Sequence, residues 1–79
     1  MTAHVVIPFP LARRTDFVER HADIISVMSS KSAERYLAYQ LKVQRDALMR
    51  RGVDAERTER EIGSLEQAIL AASERESVA

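Results

Sequence analysis

The side chains in this chain that could do chemistry are few: His4 and His21, a serine run at Ser29, Ser30 and Ser32, and the carboxylates Glu56, Glu59, Glu61 and Glu66. A histidine can serve as a general base or a metal ligand. His21, however, falls on an apolar stripe between Phe17 and Ile24 or Ile25, and no second titrating group is spaced to serve it. It therefore reads as a partly buried, hydrogen-bonded histidine. A metal site made of His4, His21 and Asp16 or Asp23 has none of the regular ligand spacing of such centres. No metal or other cofactor is expected.

The serines have no His or Lys at a spacing that would activate a nucleophile, and three serines between helices suit capping better. The glutamates interleave with Arg57 and Arg60 on polar helix faces, which reads as solvated charge and not as an acid–base pair. Only Gly52 and Gly63 are present, too few for a glycine-rich phosphate loop. The expectation is a protein that is not an enzyme.

What remains is architecture, and the segment Arg51-Gly52-Val53-Asp54 carries most of it. Gly52 supplies a left-handed helix terminator, Val53 folds back as in a Schellman motif, and Asp54 caps a new helix. On either side the apolar residues step by three and four, so two antiparallel helices share one seam. One helix spans 32–51 through Ala33, Leu37, Leu41, Gln44 and Leu48, broadened by Tyr36. The other spans 54–73 through Ala55, Thr58, Ile62, Leu65, Ile69 and Ala72, with Glu74 to Ala79 fraying beyond it.

A shorter helix over 15–29 precedes the pair, with Phe17, Val18, His21, Ile24, Ile25 and Met28 on one face. Thr15 or Asp16 is its expected cap, and Glu19 completes a capping box with Asp16. Residues 1–14 form an arm in which Val5, Ile7 and Phe9 alternate. Pro8 and Pro10 remove two backbone donors, so the arm is an extended docking segment or an edge strand. The predicted fold is all-α, an antiparallel αα-hairpin with a shorter N-terminal helix and an extended apolar arm, all in one domain over 1–79.

Length and charge bound the function further. A chain of 79 residues buries a marginal core, and with no cysteine it has no disulfide to reinforce it. Self-association is the natural remedy: a monomer would leave part of Val18, Ile25, Ile69 or Leu70 exposed, and a homodimer is expected to cover it. Met1 to Ala12, the longest stretch without Lys, Arg, Asp or Glu, is broken by prolines and far short of the roughly 20 residues that span a membrane. Together with the missing signal-peptide pattern this points to a cytoplasmic protein without a membrane partner.

The net charge of zero conceals a polarity. Residues 1–53 carry nine Lys/Arg against five Asp/Glu, and residues 54–79 carry three against seven. The simplest account is a basic helix neutralised by an acidic one. The alternative is a nucleic-acid-associated regulator that uses Arg35, Lys42, Arg45 and Arg50 of the second helix, with Tyr39 among them. A tight hairpin turn and zero net charge do not favour it, because affinity for nucleic acid rests largely on phosphate neutralisation. The preferred expectation is a protein–protein interaction or regulatory protein whose unknown partner is engaged through Val5, Ile7, Phe9, Arg13 and Arg14.

Several stretches together resemble a known group: Val6-Ile7-Pro8-Phe9-Pro10 followed by Arg13-Arg14, then Tyr36-Leu37, Gln44 to Leu48 to Gly52, and Glu61, Leu65, Glu66 and Ala68. They are similar to short proteins of unknown function found mainly in rhizobial-type alphaproteobacteria. The resemblance covers nearly the whole chain. It implies a stand-alone small helical bacterial protein with no assigned activity, and it contributes no catalytic residue. Gly63, inside the third helix, is expected to mark a close approach of another backbone.

Overall fold

The computed structural model describes residues 11–78, with side chains through Arg75. A 3-10 turn at Leu11–Arg13 leads into α1 (Thr15–Ser26), followed by α2 (Ser30–Arg50) and α3 (Ala55–Val78). No strand occurs among the described residues, so the fold is all-α. The proline-containing part of the arm, with Val5, Ile7 and Phe9, lies outside the described residues. Leu11 to Arg13 do not continue an extended arm, because Leu11 is 3% exposed and its burial winds this stretch into a turn against α3.

The α2–α3 connection forms as its residues dictate. Gly52 has φ 88°, a conformation open to glycine at little steric cost. Its N–H donates to the Met49 carbonyl at 3.0 Å, and the Val53 N–H donates to the Leu48 carbonyl at 3.1 Å, the paired bonds of a Schellman motif. Val53 and Leu48 are both buried, which supplies the accompanying apolar contact. Asp54 Oδ1 then accepts from the Arg57 N–H at 2.8 Å and caps α3. The chain reverses within four residues, and two long helices come back side by side.

The third helix is the spine of the core. Thr58, Ile62, Leu65, Ile69 and Ala72 are all buried, with Thr58 and Ile69 at 0% exposure. Ala55, the first position of this stripe, is instead exposed, because it opens the helix at the end of the hairpin. The helix also continues to Val78 and does not end at Ser73. No glycine or proline follows Ser73 to stop it, and Arg75 in the last turn suits the negative end of the helix dipole.

The first helix lies along α3 with Val18, His21, Ala22 and Ile25 inward. Its start is held near Glu61, and its end meets Leu70 and Ser73, so α1 runs parallel to α3 and antiparallel to α2. In this up-down-up arrangement Val18, Ile25 and Ile69 are 7% exposed or less within a single chain. Leu70, at 38%, is the one of the four that stays exposed. The difference arises because α1 spends its wide apolar arc on both other helices.

Three local expectations also change. The N-cap of α1 is Arg14 with no side-chain cap bond, and Thr15 and Asp16 are the first residues of the helix. The 3-10 turn feeds directly into α1, with the Arg14 carbonyl accepting from the Val18 N–H at 2.9 Å, so no capping box forms. At Gly63, an added Cβ would meet nothing within 4 Å among the described residues, so the first helix does not approach there. At the start of α2, Ser29 accepts from the Ser32 N–H at 3.2 Å, and the helix begins at Ser30, two residues earlier than the spacing suggested.

Candidate interaction surface

The first described residue is held at a fixed point on the helical body. Leu11 is buried, its N–H donates to Glu61 Oε1 at 3.2 Å, and its carbonyl accepts from the Arg14 N–H at 3.1 Å. A buried side chain and a charge-assisted backbone bond thus pin the base of the segment to α3. Arg13 and Arg14 are exposed beside this anchor, and with Phe17 and Arg20 they border a shallow basin of about 500 Å³. Neither arginine forms an ion pair with α3 among the described residues. The group that reaches the acidic helix is the Leu11 amide, whose bond to Glu61 sequence periodicity gave no means of finding.

His21 is 7% exposed and sits between two aromatic rings. Phe17 meets it edge-on with centroids 4.3 Å apart, and its Nδ1 lies 2.7 Å from the Tyr36 hydroxyl on α2. Burial lowers its pKa, and the nearby Arg20 charge lowers it further. A neutral imidazole bonded to a phenol is a strut between α1 and α2. It matches the reading of His21 as a satisfied, partly buried histidine and adds Tyr36 as its partner. No group of three or more His, Cys, Asp or Glu is disposed to hold a metal among the described residues.

Two of the four cations on the basic face of α2, Lys42 and Arg45, are paired with neighbours. Arg45 donates through Nε and Nη2 to Glu59 at 2.6 and 3.1 Å, a bidentate pair that crosses from α2 to α3. This bond raises the Arg45 pKa and lowers that of Glu59. Lys42 pairs with Asp46 one turn on, at 3.0 Å. Arg35 and Arg50 are exposed and have no ion pair among the described residues. Exposed Tyr39 and Met49 interrupt the basic surface.

A shallow groove, not anticipated from the sequence, follows one side of the α2–α3 seam. Leu37, Ala38, Leu41 and Leu70 line its middle, with Glu34 toward one end and Arg45 beside Glu66 at the other. Its main compartment holds about 530 Å³, and a second of about 320 Å³ continues past Leu70 toward Met28. Periodicity identifies which residues face the seam but not how tightly it closes.

No helix among the described residues is long and apolar enough to cross a membrane. Residues 2–79 match a family described as a family of unknown function, DUF6074. No curated protein and no solved structure matches the chain.

Proposed function

The chain belongs to this family of unknown function, and from the geometry above we propose that it is a small, non-enzymatic protein–protein interaction or regulatory protein of the cytoplasm. Its partner-binding element is the N-terminal segment, with Val5, Ile7 and Phe9 as apolar contacts and Arg13 and Arg14 as charged ones. The observation that supports this reading is the Leu11 anchor on Glu61, which holds the residue next to the segment on α3 beside two exposed arginines.

Arginine keeps its charge at any working pH and offers a planar fork to carboxylates. An apolar segment with paired arginines at its base suits a protein surface with an apolar groove edged by Asp or Glu. The absence of cysteine fits a reducing compartment. The test is affinity capture from the native host followed by direct titration of the captured protein. Arg13→Gln with Arg14→Gln weakens the titrated interaction while leaving the melting temperature unchanged. Equal affinity of the double variant and the parent contradicts the proposal.

A further inference from the structure

The groove between α2 and α3 has a second property beyond its apolar floor. On α2, Glu34, Leu37, Ala38, Leu41 and Arg45 line it, with charges of opposite sign at its two ends. Turning the helix end for end about a point between Ala38 and Leu41 brings Glu34 onto Arg45 and Ala38 onto Leu41, while Leu37 falls on Lys42, outside the lining. Such self-complementarity is what a two-fold interface requires, where one patch must fit its own copy.

We propose that this groove is a homodimer interface, in which α2 of a second copy lies antiparallel across it about a two-fold axis between Ala38 and Leu41. One register sets Glu34 against the partner subunit's Arg45 and Ala38 against the partner subunit's Leu41. The methyl of Ala38 lets the two helices approach closely near the axis. Leu70, exposed at 38% in the single chain, is covered at the same time.

Arg45 can take part without giving up Glu59. Its bidentate bond uses Nε and Nη2, and the guanidinium has five N–H donors, so Nη1 remains for a second carboxylate. Glu34 is exposed and has no ion pair among the described residues. The arrangement places one opposite-charge contact at each end of an apolar strip, which fixes register and orientation more than it adds affinity. This inference is independent of the role given to residues 1–10.

The experiment is sedimentation equilibrium on the intact chain from about 10 µM to about 500 µM, with two variants. The parent shows a reversible monomer–dimer equilibrium. Glu34→Arg sets arginine against arginine at both ends and raises the dissociation constant roughly tenfold. Its far-UV circular dichroism and melting temperature at low concentration stay those of the parent, because Glu34 is exposed. The chain has no cysteine, so Ala38→Cys gives a clean cross-linking probe. It forms a disulfide-linked dimer under mild oxidation faster than Arg35→Cys, a position that does not line the groove. A monomer mass at every concentration overturns the proposal. So does a dimer indifferent to Glu34→Arg, or one in which Arg35→Cys cross-links as fast as Ala38→Cys.

Discussion

The Nδ1 of His21 lies 2.7 Å from the hydroxyl of Tyr36, tying α1 to α2 through a histidine that is 7% exposed. Because burial and Arg20 lower its pKa, the folded chain binds this proton less readily than the unfolded chain does. Acid therefore favours unfolding. The contribution is complete above the unfolded value of about 6.5 and is lost as pH falls through the lowered folded value. Thermal melts should show a falling midpoint from pH 7.5 to pH 5. A His21→Phe variant should lose most of that slope, and an unchanged slope would contradict the assignment.

Removing only the phenol oxygen isolates the strut. Tyr36→Phe leaves the imidazole nitrogen without its partner and should cost about 1 kcal/mol, or about 4–8 °C in melting temperature for a domain of this size. Differential scanning calorimetry at pH 7.5 measures it, and an unaltered midpoint would show that water replaces the hydroxyl.

The two glycines should respond to alanine in opposite directions. At Gly63 a methyl meets nothing within 4 Å, so Gly63→Ala should stabilise the chain by about 0.5–1 kcal/mol through helix propensity. At Gly52, with φ 88°, the same change forces a left-handed alanine and should cost about 1–2 kcal/mol. Urea unfolding of both variants settles the signs.

Nucleic acid should not bind. Lys42 and Arg45 are engaged with Asp46 and Glu59, which leaves Arg35 and Arg50 among the four cations that would line a groove-facing helix. Fluorescence anisotropy with duplex DNA and with structured RNA should show no salt-sensitive binding at low micromolar protein. Binding that weakens with salt and again in Lys42→Gln with Arg45→Gln would reverse this conclusion.

The parts of the fold legible in the sequence were those set by local chemistry. Arg51 to Asp54 specified the hairpin turn because a left-handed glycine, a returning valine and a capping aspartate act within a few residues of one another. The stripe from Thr58 to Ala72 was legible because helical period alone puts those residues on one face. The burial of Val18, Ile25 and Ile69 was not, since it depends on where α1 lies against α3. The same holds for Gly63, whose open surroundings are a tertiary fact. At the start of α1 the expected cap failed because burial of Leu11 wound the preceding residues into a 3-10 turn that feeds the helix without a side-chain cap. Of the residues proposed to bind a partner, only Arg13 and Arg14 lie among the described residues. Their exposure could be guessed from their charge, whereas the Leu11–Glu61 bond that fixes their position joins residues fifty apart.

The central claim is that the N-terminal segment acts on a partner and is not merely packing for its own helices. Its most direct test compares the intact chain with one lacking residues 2–10, in which Met1 precedes Leu11 so that Leu11 keeps an amide N–H for Glu61, measuring thermal stability and recovery of the captured protein partner side by side. The account predicts that recovery falls sharply in the shortened chain while its helical content and melting temperature stay close to those of the parent. A shortened chain that melts lower yet recovers the partner as well as before would contradict it and reduce the segment to a lid.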